Sequence, residues 1–439
     1  MPEARATVAG AGLAGCEAAW QLAKRGVAVT LVDMKPGRMT PAHTSPLFAE
    51  LVCSNSLRGA RLENAPGLLK EELRRLGSLV MEAAGHSAVP AGGALAVDRE
   101  QFSGYITEKL RAHPLVEIRE AELDAVPEGP CVIATGPLTA GALADAIARE
   151  AGTLHFFDAA APIVTADSID MGRVFRASRY GKGGDDYLNC PLTRDEYDAF
   201  IAALLGAECA PVHGFEENML FEGCMPIESI ARRGHMAAAF GPMKPVGLTD
   251  PRTGREPFAA VQLRQDDAAG SLYNIVGFQT RLRFPEQRRV FGMLPGLGNA
   301  EFARLGVMHR NTFLQSPGFL DRTFGVLDKP LRFFAGQMTG VEGYVESASS
   351  GLTAGVALAA RLGGLPDPEF PADTMTGALG RYVSTPNRDF QPMNANFGLL
   401  PALDRRVKGK QQRYLALAER ALQSLGHLVE TRADLFGGA

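Results

Sequence analysis

The sequence predicts an α/β fold in which a dinucleotide-binding domain is interrupted by a smaller α+β domain. Between Ala6 and Asp33, a short apolar strand, a glycine-rich turn, a helix and a second strand follow one another, in the order and size of a βαβ unit. From about Phe175 to Arg310, strands and loops broken by Gly-Pro, Met-Pro and Lys-Pro dipeptides replace this pattern. The α/β pattern then returns near Leu331. We therefore divide the chain into the first part of the dinucleotide-binding domain, the inserted domain and the second part of the first domain: 1–174, 175–310 and 311–439.

Hydrophobic periodicity and end signals define the helices of this fold. The first helix, Cys16 to Arg25, stops at Gly26, a residue type that favours helix termination. In the inserted domain only Arg194 to Leu205 has a clear helical pattern, and the stretch from Pro36 to Arg61 is predicted to be a long loop. The helix predicted at 342–362 is lined by small residues that allow close approach to a sheet or a ligand. The other predicted helices are 68–79, 98–113, 138–152 and 405–425.

The composition restricts the class of protein. The chain has 439 residues, 46% of them apolar, and a formal net charge of −4, so it can build two or three cores but has no overall positive field for a polyanion. Its six cysteines include no CxxC pair and no cluster with histidines at zinc spacing, and no run of about 18 apolar residues occurs. The start lacks a charged-then-apolar leader. We expect a cytoplasmic protein with reduced thiols, no metal and no membrane span.

The glycine-rich turn after the first strand has the spacing of a dinucleotide-binding fingerprint. Gly10 permits a tight turn, Gly12 lets the backbone approach a pyrophosphate, and Gly15 lets the helix pack on the strand. The start of the following helix supplies N–H donors, and Asp33 at the end of the second strand can accept hydrogen bonds from ribose hydroxyls. We assign cofactor contacts here to Gly10, Ala11, Gly12, Leu13, Ala14, Gly15, Asp33 and Met34.

Two later turns favour FAD over NAD as the resident cofactor. Residues 133–136, Ile-Ala-Thr-Gly, resemble the Ala-Thr-Gly turn of flavoproteins with two dinucleotide-binding domains. Residues 333–337, Phe-Phe-Ala-Gly-Gln, resemble their late strand ending in Gly-Asp, with Gln in place of Asp. Taken alone, each turn also fits an ordinary strand-to-helix loop. Together the resemblance implies a Rossmann-like FAD-binding domain and adds four cofactor contacts: Thr135, Gly136, Gly336 and Gln337.

Two of the cysteines lie among polar residues. Cys53 begins a Cys-Ser-Asn-Ser loop, and Cys224 stands between two glutamates, with Arg232 and Arg233 beyond it. A nearby cation lowers the pKa of a thiol, whereas adjacent carboxylates raise it. The residues alone leave open whether either thiol is reactive or a small buried hydrophobe. The buried alternative fits two other cysteines, which lie in apolar segments: Cys16 and Cys131.

Paired arginines and one histidine among polar residues are candidates for substrate contacts. Several arginine pairs on one face would form a phosphate-binding track, whereas a single pair is usually a solvated surface. A histidine among polar residues either binds a ligand or satisfies local hydrogen bonds. We assign substrate binding to His309, Asn311, Arg232, Arg233, Arg405 and Arg406.

Taken together, the segments resemble those of the bacterial folate- and FAD-dependent tRNA (uracil-5-)-methyltransferases. The resemblance runs from about residue 8 to 400 and is most specific in the two cysteine segments, more so than in the glycine turn. The larger FAD proteins that modify wobble uridines are related. The matching pieces are 10–15, 40–43, 48–58, 221–228, 333–344 and 391–398.

The resemblance implies an activity. Family members transfer the one-carbon unit of methylenetetrahydrofolate to C5 of a uridine in the tRNA T-loop, with electrons from reduced FAD and with NADH or NADPH as reductant. By resemblance Cys224 adds to C6 of the uracil, which activates C5, and Cys53 is the partner thiol near the flavin. Which cysteine plays which part stays open, although a second acid/base group must remove the C5 proton.

Two other functions are compatible with the sequence. An FAD oxidoreductase of a small metabolite would turn over without RNA and would not need Cys224. A tRNA-binding flavoprotein that acts as a chaperone of RNA folding would bind RNA after loss of both thiols and would transfer no methyl group.

Overall fold

The strands and helices build two six-stranded sheets and two smaller ones. The computed structural model describes residues 4–40, 42–211, 225–388 and 390–437. In chain order, the strands are β1 (Arg5–Ala9), β2 (Ala28–Asp33), β3 (Ser56–Gly59), β4 (Ala88–Val89), β5 (Ala94–Val97), β6 (Val116–Glu120), β7 (Cys131–Ile133), β8 (Thr153–Ala159), β9 (Ile163–Thr165), β10 (Phe175–Arg176), β11 (Tyr187–Leu192), β12 (Ala259–Gln265), β13 (Leu272–Ile275), β14 (Phe302–Arg304), β15 (Met308–Leu314), β16 (Gly325–Val326) and β17 (Lys329–Phe334).

The helices alternate with strands near both chain ends. They are α1 (Leu13–Lys24), α2 (Ala65–Arg75), α3 (Leu79–His86), α4 (Arg99–Ala112), α5 (Gly141–Ala151), α6 (Arg194–Leu205), α7 (Ile227–Arg232), α8 (Ala237–Phe240), α9 (Phe284–Phe291), α10 (Tyr344–Leu362), α11 (Met375–Ser384), α12 (Lys410–Thr431) and α13 (Ala433–Phe436). Within the described ranges, none of these helices combines the length and apolar character needed to cross a membrane.

The first sheet is parallel except at one edge. Its strand order is β16-β17-β7-β1-β2-β6, and only the β16–β17 pair is antiparallel. The central strand β1 is apolar, with Val8 and Ala9 fully buried, as a strand covered on both faces requires. The two chain ends meet here, because Phe333 on β17 pairs with Val132 on β7. The predicted Rossmann-like α/β fold is thereby confirmed.

Helices α1 and α10 pack unusually close together. A Cβ at Gly351 would lie 2.1 Å from the carbonyl oxygen of Ala14, and a Cβ at Gly355 would lie 2.8 Å from that of Ala18. Any larger residue at these two positions would push the helices apart. The small residues predicted on this helix therefore also allow close approach to another helix, in addition to the sheet and the cleft.

The second sheet is antiparallel and occupies the inserted part of the chain. Its strand order is β10-β11-β12-β13-β9-β14. Helix α6 contributes to the same hydrophobic core, and it begins with a capping box. The Thr193 hydroxyl accepts the N–H of Glu196 at 3.3 Å, and the Glu196 carboxylate accepts the N–H of Thr193 at 2.9 Å. Strand β9 joins this sheet although it precedes residue 175, and the domain boundaries themselves stay predictions.

Several elements differ from the predicted ones. Helices α7, α8 and α9 lie in a stretch in which only α6 was expected. Helix α9 has Pro285 in its first turn, where proline is favourable. The helix predicted at 68–79 is two helices, α2 and α3, separated at Gly77, whose φ is +70°. Strand β3 lies inside the predicted long loop and finds its partner in β5, which no local pattern shows.

Two antiparallel strands connect the two parts of the fold. Strand β8 leads into the inserted domain and β15 leads out of it. They pair from Thr153 opposite Leu314 to Ala159 opposite Met308. Both crossings therefore run side by side in one ribbon.

Candidate active site

A cleft opens where the turns after β1, β2, β7 and β17 meet. These are carboxyl ends of parallel strands, the edge at which ligands bind in open α/β sheets. The predicted cofactor residues that line the cleft are Gly10, Gly12, Leu13, Ala14, Asp33, Met34, Thr135, Gly136, Gly336 and Gln337. The fold thus brings together segments that lie far apart in the sequence, while their individual contacts with a cofactor stay a prediction.

The three glycines of the first turn are required for different reasons. Gly10 has a φ of +96°, and a Cβ there would lie 2.5 Å from the carbonyl oxygen of Ala134. A Cβ at Gly15 would lie 1.7 Å from the carbonyl oxygen of Gly10. A Cβ at Gly12, by contrast, meets no atom within 4 Å and would project from a residue that lines the cleft. Protein packing therefore explains two of the glycines, whereas the space beside Gly12 is open, and its contact with a cofactor stays a prediction.

Asp33 is tied to the backbone of the first turn. Its carboxylate accepts the N–H of Ala11 at 2.6 Å and the N–H of Lys35 at 2.9 Å. Ala11 is fully buried and is not among the residues that line the cleft, and its predicted contact with a cofactor stays a prediction. The bond from Ala11 holds the Asp33 carboxylate, at the end of β2, against the glycine turn. It thereby fixes the orientation of the carboxylate relative to the cleft.

The turn after β17 accommodates its glutamine. Gly336 has a φ of +87° and donates its N–H to the Ser350 hydroxyl at 2.7 Å. Gln337, which stands where the flavoprotein pattern has Asp, donates from its amide nitrogen to the Glu342 carboxylate at 2.5 Å. Glu342 is buried. The glutamine that departs from the pattern therefore has a hydrogen-bond acceptor in an acid five residues later.

The cleft has further lining residues that sequence reasoning did not assign to it. His43 is one of them: its Nδ1 lies 2.5 Å from the Thr40 hydroxyl, and burial, assisted by the charge of Lys35, lowers its pKa. The 40–43 segment belonged to the matching pieces, but nothing local shows where its loop folds. The added lining residues include Lys35, Arg38, Met39, Thr40, His43, Glu50, Val52, Tyr344 and Ser347.

Cys53 lies between this cleft and the inserted domain. The N–H groups of Cys53 and Ser54 both donate to the phenolic oxygen of Tyr344, at 2.7 and 3.1 Å, and Tyr344 itself lines the cleft. Burial raises the pKa of the Tyr344 phenol, which keeps it protonated. The half-buried thiol has its Sγ 3.7 Å from the carbonyl oxygen of Ala159, the last residue of β8. Cys53 is thus held one side chain away from the cofactor cleft.

Three arginines interact electrostatically with the Cys53 thiol. Arg99 forms an ion pair with Asp266 at 2.9 Å, Arg264 reaches the site from β12, and Arg304 reaches it from β14. Burial lowers the pKa of Arg264 and of Arg304, and the neighbouring charge of Arg99 lowers both further. The site therefore concentrates positive charge at a thiol, an arrangement that suits a reaction in which negative charge develops. Sequence reasoning missed all three arginines.

The other cysteines have a different environment. Cys224 lies outside the described residues. Cys16 and Cys131 are fully buried, as expected, and burial raises the pKa of both; it raises the pKa of Cys190 to about 12. These thiols are inert packing groups. Within the described ranges no three His, Cys, Asp or Glu side chains are grouped so as to hold a metal ion.

The strand that carries His309 and Asn311 runs along the cleft. Both residues belong to β15, and Asn311 is buried. The next residue, Thr312, donates its N–H to the carbonyl oxygen of Pro137 at 2.9 Å, and Pro137 lines the cleft. The strand is therefore adjacent to the cleft, while the substrate contacts of both residues stay a prediction.

The two predicted arginine pairs lie on the surface. Arg232 and Arg233 are exposed at the end of α7, and Arg405 and Arg406 are exposed in the segment that precedes α12. Exposure is what a phosphate contact needs, but it is also the ordinary state of arginine. Their part in substrate binding stays a prediction.

Named proteins from two bacteria are similar to this chain over nearly its whole length. A protein from Geobacter sulfurreducens named methylenetetrahydrofolate–tRNA-(uracil-5-)-methyltransferase TrmFO is 60% identical over 430 residues, covering 97% of this chain and 99% of the relative. A Listeria monocytogenes protein of the same name is 56% identical over 431 residues, covering 98% and 99%. The resemblance inferred from the cysteine segments is thereby confirmed.

A solved structure shares the fold of this chain, and the sequence model of one protein family matches it. The solved structure of Aquifex aeolicus GidA in its form II crystal superposes with a TM-score of 0.68 at 16% identity, covering 98% of this chain and 76% of that one. At this identity the likeness concerns the fold alone. The sequence model of glucose inhibited division protein A matches residues 5–366. The chain therefore belongs to the glucose inhibited division protein A family.

Proposed function

We propose that the protein is an FAD-dependent methyltransferase that moves the one-carbon unit of methylenetetrahydrofolate to C5 of a T-loop uridine in tRNA, with NADH or NADPH as reductant. The observation that carries this proposal is the position of Cys53, whose backbone N–H donates to Tyr344 at the wall of a dinucleotide-type cleft. The activity named for the Geobacter and Listeria relatives, which align over nearly the whole chain, supports it.

The residues of the cleft fit FAD. The backbone at Gly12 and the start of α1 would hold the pyrophosphate, since no Cβ fills that space and helix N-termini bind anions. Asp33 would accept ribose hydroxyls, and the turns at Thr135 and Gly336 would flank the rest of the molecule. When bound, FAD supplies the electrons that convert a transferred methylene group into methyl.

The two cysteines would act on the uracil base. C5 of uracil is a weak nucleophile, and addition of a thiolate to C6 forms a C–S bond and moves an electron pair toward O4, giving an enolate that is nucleophilic at C5. We assign this addition to Cys224. After the new carbon bond forms at C5, a base must remove the C5 proton so that the C–S bond can break. We assign this proton to Cys53. To reach either thiol, the base must leave its stack in the RNA.

The charge around Cys53 suits this chemistry. The enolate carries negative charge on oxygen, and a thiol that has lost its proton carries it on sulfur. Arg99, Arg264 and Arg304 all lie close enough to Cys53 to act on that charge. Preorganised positive groups in a site that excludes water stabilise such charge more strongly than water does.

The donor of the methyl group tests the proposal. A tRNA transcript incubated with protein, NADPH and carbon-labelled methylenetetrahydrofolate should gain label in 5-methyluridine, measured by nucleoside mass spectrometry. Labelled S-adenosylmethionine should leave the RNA unlabelled, because the cleft supports redox chemistry and the transfer needs electrons. Label entering RNA from S-adenosylmethionine would overturn the folate assignment.

The same assay separates the two other candidate functions. An oxidoreductase of a small metabolite would oxidise NADPH at the same rate with and without RNA, and an RNA-folding chaperone would bind tRNA without changing its mass. We also assign His309 and Asn311 to the substrate side of the site, because their strand runs beside the cleft.

RNA binding should be local and electrostatic. We propose that Arg232, Arg233, Arg405 and Arg406 contact phosphates, which position the RNA without reading its sequence. In filter-binding titrations across a salt series, each Arg→Ala variant should flatten the slope of log affinity against log salt by about one unit or slightly less. Arg119→Ala, at an exposed position on the edge strand β6, is the control. Slopes equal to the wild type in all four variants would remove these residues from the RNA track.

A further inference from the structure

The loop that carries Cys53 is held from the inserted domain by one arginine. Arg264 lies on β12 and is only 6% exposed. Its Nη2 donates to the Ser54 hydroxyl at 2.7 Å, and its Nε donates to the Asn55 side-chain oxygen at 3.0 Å. Both acceptors immediately follow Cys53 in the chain, so the guanidinium bridges two domains directly behind the thiol.

Asn55 completes this connection. It is fully buried, and its amide nitrogen donates to the carbonyl oxygens of Val97 at 3.1 Å and Gln265 at 3.0 Å. One of these acceptors belongs to β5 of the first domain and the other to β12 of the inserted domain. Because Arg264 occupies the oxygen of Asn55, every polar atom of this side chain is engaged, and the loop is fixed at the domain boundary.

Holding the loop with Arg264 costs free energy, because the charge of the guanidinium is buried. A buried guanidinium is normally paired with a carboxylate, yet in the described part of the chain no carboxylate oxygen lies within 4.0 Å of that of Arg264. Asp266, whose charge acts on Arg264, forms its ion pair with Arg99. A neutral hydrogen-bond donor would hold Ser54 and Asn55 without placing a charge in the interior. The retained charge faces Cys53.

We propose that Arg264 is a positioning residue that fixes the Cys53 thiol against the cofactor cleft and supplies positive charge to it when it loses its proton. The assignment of Cys53 to methyl transfer rests on the proposed function, whereas the effect of Arg264 on the thiol itself does not. Besides Arg264, the described groups that interact electrostatically with Cys53 are Arg99, Arg304 and Tyr344. Asp266 acts on Arg99 and Arg264, and Glu50 acts on Arg304.

Two substitutions separate charge from geometry. Arg264→Gln keeps hydrogen-bond donors and removes the charge. Arg264→Lys keeps the charge and loses the planar fork that reaches both acceptors. Arg179→Gln is the matched control, because Arg179 also donates to a β12 side chain, that of Gln262, at 2.7 Å and has no described interaction with Cys53.

The experiment measures alkylation of Cys53 by iodoacetamide as a function of pH in the FAD-loaded proteins, quantified by peptide mass spectrometry, beside single-turnover tRNA methylation. In Arg264→Gln the alkylation profile should move to higher pH, with a rate near neutral pH about tenfold lower than the wild type, the usual effect of losing a close opposite charge. In Arg264→Lys the profile should stay near that of the wild type, while methylation falls about tenfold because the loop is no longer held. Arg179→Gln should match the wild type in both assays.

The outcomes are distinguishable. An unchanged alkylation profile in Arg264→Gln would overturn the electrostatic part of the proposal, and wild-type methylation in Arg264→Lys would overturn the positioning part. If Arg264→Gln fails to retain FAD, the alkylation profiles of the FAD-free wild type and the FAD-free Arg264→Gln protein decide the electrostatic part. The lysine variant still decides the positioning part, and an Asn55→Ser variant, which shortens one acceptor of the same fork and keeps the charge, repeats that positioning test with the pattern expected for Arg264→Lys. A wild-type protein that methylates no tRNA, combined with a shifted profile in Arg264→Gln, would overturn the proposed function and leave this inference standing.

Discussion

Replacing Cys53 by alanine should lower the rate of tRNA methylation at least about 10²-fold, the scale expected for a catalytic acid or base, while FAD stays bound. The backbone N–H of residue 53 still donates to Tyr344 in the variant, so the loop keeps its place and only the proton-exchanging thiol is lost. The measurement is a single-turnover rate with labelled methylenetetrahydrofolate, with flavin absorbance as the check on folding.

Replacing Cys224 by alanine should lower the methylation rate at least as much as Cys53→Ala does, and it should block a different step. If Cys224 adds to C6, Cys224→Ala forms no covalent protein–RNA species on a denaturing gel, whereas Cys53→Ala forms one that it releases slowly. The reverse pattern would exchange the two roles. Cys16→Ala and Cys131→Ala, which alter buried thiols, should change stability by at most about 3 kcal/mol and leave the methylation rate intact. A Cys224→Ala protein with the wild-type rate would contradict the nucleophile assignment.

Gly12→Val should yield a folded, colourless protein. An added Cβ meets no protein atom within 4 Å, so we expect the turn to keep its conformation, but the side chain would occupy the space that we assign to the pyrophosphate. The measurement is the ratio of flavin to protein absorbance after purification, with circular dichroism as the check on folding. Full flavin absorbance in this variant would contradict the placement of FAD.

Two other glycines provide controls for this variant. A Cβ at Gly104 on α4 also meets nothing within 4 Å, and Gly104 does not line the cleft, so Gly104→Val should keep its flavin. Gly15→Ala is the opposite case, because its Cβ would lie 1.7 Å from a backbone oxygen. That variant should lose stability whether or not FAD is present, which distinguishes a packing glycine from a ligand glycine.

The cofactor cleft could be predicted because its central signal is local. Gly10, Gly12, Gly15 and Asp33 lie within one βαβ unit, and the steric demands on Gly10 and Gly15 act between residues of that unit and one neighbouring turn. The spacing of glycines therefore carries the geometry directly. The remote turns at 135–136 and 336–337 needed a resemblance, since each alone fits many loops.

The surroundings of Cys53 could not be predicted from local pattern. Tyr344 is 291 residues from Cys53, and Arg264 is 210 residues from Ser54. Arg264 follows an apolar–polar alternation in the sequence of β12, in which an arginine ordinarily faces solvent, and only the contact between the two domains buries it. Polar residues around a cysteine indicated that the loop was special, but the identity of its partners depends on tertiary structure.

The chain enters and leaves the inserted domain at one pair of cross-strand partners. Ala159 and Met308 are cross-strand partners at the end of the β8–β15 ribbon, so their backbones are about 5 Å apart. Excising residues 160–307 would leave a gap that a two-residue hairpin turn can close. Removing these residues would therefore leave the order of the strands in the parallel sheet unchanged. The Cys53 sulfur lies against the carbonyl of Ala159, at the point where the inserted domain is attached. Removing or replacing that domain would therefore change the surroundings of the thiol.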